Sequence, residues 1–238
     1  MSKLAIVTGT SSGIGEALAQ RLLADGWQVF GMARREVKFD GAYQHLQVDL
    51  SDPVVASQLG PRIEAEMAFG EFSRLALVNN AATPGQKRSY GDQSTADTFR
   101  NIAINLSAPM ALMDLAVRLR PDHALLRVVN ISSGLAYRPL AGLADYCASK
   151  AGLHMAGESL AEEKHPNTAV LAYAPGIVAT EMQRSLRGET NDSFQSTAVF
   201  KAMHDEGRLA SAKAVIEPIV RFVEHDTITG FHQERYAG

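Results

Sequence analysis

Short runs of apolar, largely β-branched residues alternate along the chain with longer runs whose apolar positions recur every three or four residues. KLAIV at residues 3–7 predicts a first strand, and EALAQRLLADG behind it an amphipathic helix ending at Gly26. WQVFGMA predicts a second strand and HLQVDL a third, ending at Asp49. A helix is expected to start near Ser51, Asp52 and Pro53, which suit N-cap and first-turn positions. RLALVNNAA reads as a fourth strand, and TADTFRNIAINLSAPMALMDLAVRLR as one long helix with Asn105 in its middle. LLRVVN predicts a buried strand, AGLHMAGESLAEEK is rich in helix formers, and NTAVLAYAPG predicts another strand, broken by Pro175 and Gly176. AKAVIEPIVRFVEH predicts a last helix interrupted by Pro218, and TITGFH an edge strand. With no repeat, low-complexity segment or linker, this alternation implies one α/β domain over residues 1–238, built on a parallel, doubly wound sheet.

Composition narrows the classes. Hydrophobic residues make up 46% and charged residues 21% of the 238, which fits a soluble globular protein with a sizeable core. The net charge is -3 and the basic residues are scattered, so no nucleic-acid partner is expected. Cys147 is the one cysteine, which excludes an internal disulfide and leaves too few thiols for a zinc or iron–sulfur site. The seven histidines form no ligand spacing such as H-E-x-x-H, and no metal is expected. Ser133 lacks the G-x-S-x-G elbow of serine hydrolases. No apolar run approaches ~18 residues and no leader pattern opens the chain, so a cytoplasmic protein without a membrane partner is expected.

Candidate chemistry gathers at strand ends. Gly9, Gly13 and Gly15 follow the first strand and open a helix, with Thr10, Ser11, Ser12 and Ile14 between them. Such glycines let the backbone turn tightly and approach a pyrophosphate lying on the free N–H groups of a helix N-terminus. The spacing G-x3-G-x-G is not the general dinucleotide fingerprint, and a tight turn without a ligand is the alternative. After the second strand come Arg34 and Arg35, with no acidic residue from Gln28 onward. A cation there suits the 2′-phosphate of NADP, with Arg34 the better candidate and Arg35 a solvated neighbour. Asp49 either meets an adenine amino group or caps the next helix.

Tyr146 and Lys150 stand four residues apart on an expected helix, so the ammonium lies near the phenol. A nearby cation is expected to lower the phenol from its ordinary value near pH ~10, making Tyr146 a proton donor and acceptor near neutrality. Ser132 and Ser133 close the preceding strand, at the sheet edge where ligands of open α/β sheets bind. Asn105 is either a structural polar group or a catalytic one. Residues 181–210, less regular and more polar, with Met182, Leu186, Phe194, Phe200 and Met203 interspersed, are expected to form a mobile lid over the substrate. Met182, Leu186 and Tyr137 hint at an apolar pocket beneath it.

Together, TGTSSGIG, NNAA, Asn105, Ser133, Tyr146 with Lys150, and PGIVAT resemble the short-chain dehydrogenase/reductase family over essentially the whole chain. YCASKAGLHM, EEKHPN and AYAPGIVATEMQ look most like its sepiapterin reductase and benzil reductase branch. The resemblance implies a Rossmann-like fold, a nicotinamide cofactor and hydride transfer at a carbonyl carbon. It implies that Ser133 orients the carbonyl, Tyr146 donates the proton, Lys150 binds the nicotinamide ribose and biases the tyrosine, and Asn105 holds a water for proton relay. Ser132 is then structural. The cofactor is expected along Gly9 to Gly15, Arg34, Arg35, Asp49, Leu50, Asn79, Asn80, Ala81, Ala82, Pro175, Gly176, Val178 and Thr180. Ala82 departs from the family's usual glycine. NADPH-dependent reduction of a ketone or diketone is the expected activity. Alcohol oxidation with NAD(P)+ and a non-catalytic NADPH-binding sensor are the alternatives. Pairing through the two long helices into a homodimer or homotetramer is also implied.

Overall fold

Strands buried on both faces read as continuous apolar runs, and the computed structural model places seven of them side by side. It describes residues 2–52, 59–64, 72–188, 194 and 196–237. The strands are β1 (Ser2–Thr8), β2 (Gln28–Ala33), β3 (Tyr43–Gln47), β4 (Phe72–Asn79), β5 (Leu125–Ile131), β6 (Thr168–Ala174) and β7 (Gly230–Arg235). They lie in the order β3-β2-β1-β4-β5-β6-β7, each neighbouring pair parallel. Side chains alternate between the faces, so each strand feeds two cores. Leu4, Ile6, Leu75, Leu77, Leu126 and Val128 enter one; Ala5, Val7, Ala76, Val78, Val129 and Leu171 enter the other.

Helices cover both faces. Residues 59–64 (α2), α4 (Ala108–Leu119) and α5 (Ala144–Glu162) pack on the first core; α1 (Gly13–Ala24), α8 (Ala212–Val215) and α9 (Glu217–Glu224) pack on the second. This is the expected Rossmann-like, doubly wound sheet. Strand order reverses at β1, with β2 on one side and β4 on the other, and the crevice above that reversal is where open α/β sheets hold ligands.

Several elements differ from the sequence pattern. The third strand ends at Gln47 rather than Asp49, because Asp49 turns its carboxylate onto Ser51 instead of continuing the ladder. Of the helix start expected near Ser51, Asp52 and Pro53, Ser51 and Asp52 are not helical and Pro53 lies outside the described residues. Pro218 falls in the first turn of α9 and separates it from α8. The long helix is α3 (Thr95–Ile102) joined to α4 through one π turn, Ala103–Ser107, with Asn105 inside it. Residues 95–119 are long and apolar enough, by length and composition, to cross a bilayer; here Leu112, Met113, Leu115 and Ala116 are buried against the sheet instead.

Residues 181–210 are more regular than expected and hold α6 (Glu181–Arg187) and α7 (Thr197–Asp205). Both ends of this excursion meet: Ala210 N–H donates to Ile177 O at 2.9 Å and Ala179 N–H to Ala210 O at 3.0 Å. At the far end of the sheet, the fully buried Arg127 donates to the carbonyls of His225, Asp226 and Asn167. A buried cation is costly unless hydrogen-bonded, and Arg127 meets the carbonyls of His225 and Asp226 behind α9 and of Asn167 before β6, while desolvation lowers it to about 10.

Candidate active site

The turn after β1 is shaped by contacts within the chain. Gly9 and Gly13 have φ of 77° and 64°, in the left-handed region that glycine enters without strain. Gly15 is helical, and a Cβ on it would lie 2.4 Å from Gly9 O and 2.5 Å from Asn80 Nδ2. Asn80 reaches this spot from the end of β4, donating from Nδ2 to Thr8 O at 2.8 Å, while Thr8 Oγ1 accepts from the N–H groups of Asn80 and Ala81, each at 2.9 Å. The glycine turn and the end of β4 are thus one unit. Ser12 stands at the N-cap of α1 with extended backbone and no side-chain cap, so it leaves the first-turn N–H groups to another acceptor. That opening fits the pyrophosphate of a dinucleotide. Ile14 faces the core.

Around the turn, Thr180 approaches from the segment after β6: a Cβ on Gly13 would lie 3.1 Å from Thr180 Cγ2. In that segment Pro175 and Val178 are buried and Gly176 is exposed with a φ of 74°. On the other side, Arg35 Nη2 donates to Ser11 O and Oγ, both at 3.4 Å, whereas the exposed Arg34 is held by its backbone oxygen, which accepts from Gln47 Nε2 at 2.9 Å. The cation nearer the glycine turn by hydrogen bonding is therefore Arg35, expected only as a solvated neighbour. Asp49 Oδ1 accepts from Ser51 N–H at 2.9 Å and Oγ at 2.8 Å across a tight turn; these bonds lower its pKa with help from Arg34 and Arg100. Leu50 points into the core, and Ala81 and Ala82 are half-buried behind Asn80. Asn79 donates to Asn130 Oδ1 at 2.8 Å and ties the ends of β4 and β5 together.

Tyr43 contributes to the same turn, and sequence reasoning missed it. Its hydroxyl lies 3.0 Å from Thr10 Oγ1 and 2.8 Å from His45 Nδ1, passing over Gly31, where a Cβ would come within 2.2 Å of that hydroxyl. Nothing in the local pattern marks a strand tyrosine 33 residues away as a support for Thr10.

Ser133, Tyr146 and Lys150 converge past the end of β5. Lys150, fully buried, donates from Nζ to Ile131 O at 2.7 Å and lies 5.8 Å from the Tyr146 ring centroid. Ser133 Oγ accepts from Leu135 N–H at 3.2 Å, which starts a short 3₁₀ turn (Gly134–Ala136) and aims the segment back toward α5. Burial pushes the Tyr146 phenol up to about 12, a rise that Ser133 opposes, and burial lowers Lys150 to about 8. The expected lowering of the phenol by Lys150 is not found: desolvation disfavours both charged forms, and it acts on the cation as well as on the phenolate. Ser132 is buried with no partner for its hydroxyl among the described residues.

Asn105 is buried and bonded to protein. Its Oδ1 accepts from Thr83 N–H at 2.9 Å; its Nδ2 donates to Thr83 O at 2.9 Å, Asn101 Oδ1 at 2.8 Å and Ser149 Oγ at 3.2 Å. Ser149 Oγ in turn donates to Tyr146 O at 2.8 Å. The side chain is a clamp joining the π turn, the loop after β4 and α5, so the structural reading of Asn105 has the geometry. Next to Tyr146, the buried Asp145 accepts from Gln86 N–H at 3.3 Å, and burial raises its pKa.

A third apolar cluster roofs this corner. Leu143, Leu186 and Phe194 are buried there, with Tyr146, Cys147, Met182 and Phe200 packed against them, so α6 and α7 share one apolar cluster with the tyrosine. Cys147 is packed, as expected. Tyr137 does not join; it is exposed and its hydroxyl lies 2.8 Å from His154 Nδ1. Among the described residues no group of three His, Cys, Asp or Glu is placed to hold a metal ion.

The family model for short chain dehydrogenases matches residues 3–191. Benzil reductase ((S)-benzoin forming) of Bacillus cereus is 31% identical over 231 residues, covering 92% of this chain and 93% of that protein. Sepiapterin reductase of Mus musculus is 30% identical over 251 residues, covering 97% and 95%. Among solved structures, the KRED1-Pglu enzyme superposes with a TM-score of 0.85 at 23% identity, over 97% of this chain and 100% of that one, a likeness of fold. A tyrosine and a lysine one helical turn apart arise on many helices by chance, but alignments spanning nine-tenths of both chains do not. The chain belongs to the short chain dehydrogenase family of nicotinamide-dependent oxidoreductases.

Proposed function

We propose that this protein is an NADPH-dependent carbonyl reductase acting on a ketone or vicinal diketone, with Tyr146 as proton donor. The observation that carries the reading is the meeting of three functional groups at one strand end: Ser133 acting on the Tyr146 phenol, and Lys150 anchored on Ile131 O two residues before Ser133. Bound NADPH supplies the hydride, and the glycine turn, the uncapped start of α1 and Arg35 on Ser11 fit its phosphates. Ser133 orients the substrate oxygen beside Tyr146 and supports the phenol as it gives up its proton. Lys150 fixes the position of the ring and, when charged, favours the phenolate left behind. Met182, Leu186 and Phe194 form an apolar wall that keeps water from this corner and fits an aromatic or alkyl substituent, with residues 181–210 acting as the lid. The similarity to benzil and sepiapterin reductases favours reduction of a diketone or a side-chain ketone.

The test is loss of absorbance of the reduced nicotinamide with a panel of α-diketones, quinones, aldehydes and sepiapterin, run in parallel with NADPH and NADH. Reduction of at least one aromatic diketone or of sepiapterin, with preference for NADPH, is expected; NADPH binding with every ketone inert would sink the reading. The preference is assigned to Arg34 and Arg35 together. Replacing both with Ala is expected to weaken NADPH by roughly 10- to 100-fold, the loss of one or two charge-assisted hydrogen bonds, while leaving NADH nearly unchanged. An unaltered preference would move that role elsewhere.

Association is part of the proposal. Phe99, Met110 and Met155 are each about half or more exposed on the two long helices, at 71%, 48% and 59%, and a homodimer or homotetramer across those faces would cover them. Light scattering that found a monomer at micromolar concentration would contradict it.

A further inference from the structure

A cavity of ≈ 360 Å³ lies between the loop after β4 and α3, on the other side of the Asn105 clamp from Ser149 and Tyr146 in the chain of hydrogen bonds. Its wall carries Lys87, Arg88 and Arg100 against a single carboxylate, Asp97. Neither guanidinium has a hydrogen-bond or ion-pair partner among the described residues; Lys87 donates to Ser185 O at 3.2 Å and Oγ at 2.9 Å in α6. Asn101, fully buried, also lines the cavity. Its Oδ1 accepts from Asn105, while its Nδ2 is buried without a partner. That amide sits tight against Gly85, where a Cβ would lie 2.0 Å from it and 2.5 Å from Asp145 Oδ2, so the nitrogen is enclosed behind the wall beside the Asp145 carboxylate. Three cations on the wall of a cavity, two of them guanidinium groups with no hydrogen-bond partner among the described residues, are an arrangement that an oxyanion completes.

We propose that this cavity is a subsite for an anionic group, a carboxylate or a phosphate monoester, bound by Arg88 and Arg100 with Lys87 beside them. The guanidinium fork matches the paired oxygens of such a group better than an ammonium does. Asp97 opposes binding, but it is exposed and outnumbered by the cations. Two sets of contacts tie the subsite to the reaction. Asn101 and Thr83 both hold Asn105, which reaches Tyr146 through Ser149. Lys87 reaches the lid helix that packs on Tyr146. The anion is therefore either the acidic substituent of the carbonyl substrate or free phosphate acting on the lid. The substrate form of this inference rests on the reductase reading above; anion binding does not.

Calorimetry on the full chain separates these, using inorganic phosphate, phenylglyoxylate and the methyl ester of phenylglyoxylate, each with and without NADPH. Phenylglyoxylate is expected to bind about 10-fold tighter than its ester, and Arg88→Ala with Arg100→Ala to erase that difference. The single variants, each with one side chain removed from an exposed wall, are expected to lose about 3-fold each and serve if the double variant does not fold. Phosphate that binds, is lost in the same variants and does not compete with NADPH identifies a free anion as the occupant. Equal affinity for acid and ester without phosphate binding would overturn the proposal, as would a preference that survives the arginine changes or phosphate that competes with NADPH. Binding of the acid by a protein that reduces no carbonyl would end the reductase reading and leave the subsite standing.

Discussion

Tyr146→Phe is expected to lower turnover by roughly 10³-fold or more, since the proposed reaction takes its proton from this phenol and a positioned acid contributes about 10²–10⁴. Affinity for NADPH and thermal stability are expected to stay close to wild type. The reason lies in the packing: the ring belongs to the apolar cluster with Leu143, Leu186 and Phe194, and Phe retains that ring. The loss should fall on kcat with little change in cofactor binding, as for a group that matters only in the transition state. Retained turnover in this variant would remove Tyr146 from the chemistry.

The pH dependence follows from the same environment. Burial pushes the phenol up to about 12, so the protonated form needed for reduction is fully populated at neutral pH. Reduction is expected to stay level as pH falls from about 8 to about 6. Alcohol oxidation needs the phenolate and should rise with pH across that range. Lys150, lowered to about 8, is protonated in the lower half of the window, where its charge favours proton release. A reductive rate that climbs steeply with pH there would contradict Tyr146 as the acid.

Gly15→Ala has the second largest expected effect, on cofactor binding and stability together. The added methyl would stand 2.4 Å from Gly9 O and 2.5 Å from Asn80 Nδ2, against backbone and an amide already bonded to Thr8 O. Neither neighbour can yield without moving the glycine turn or breaking the tie to β4. Overpacking of this kind costs about 1–3 kcal/mol, equivalent to a melting temperature lower by roughly 2–12 °C in a domain of this size. Because the turn that must move is the one expected to hold the pyrophosphate, NADPH affinity should fall by about 100-fold or more, the displacement of several N–H donors at once. Gly26→Ala is the control. Gly26 also has positive φ, 79°, but nothing lies within 4 Å of an added Cβ, so only about 1 kcal/mol of backbone strain is expected and no loss of cofactor. Gly15→Ala that binds NADPH as wild type does would mean the turn is not the phosphate site.

The sequence by itself determined the architecture. Strands buried on both faces must be apolar at every position, and helices covering them must be apolar on one side, so LLRVVN, RLALVNN and EALAQRLLADG betray their roles in isolation. It also placed the residues proposed to carry the chemistry, because Tyr146 and Lys150 lie on one helix and Ser133 at a strand end, arrangements set by local periodicity. Local rules stop at relations between distant segments. That Asn80 fills the space over Gly15, that Tyr43 supports Thr10, that Asn105 clamps Thr83 to Ser149, and that Arg35 rather than Arg34 reaches Ser11 all depend on the order in which strands and loops pack. The protonation of the site was decided there too: spacing puts a cation near a phenol, but only the surrounding tertiary structure removes the water, and desolvation then moves both groups toward their neutral forms.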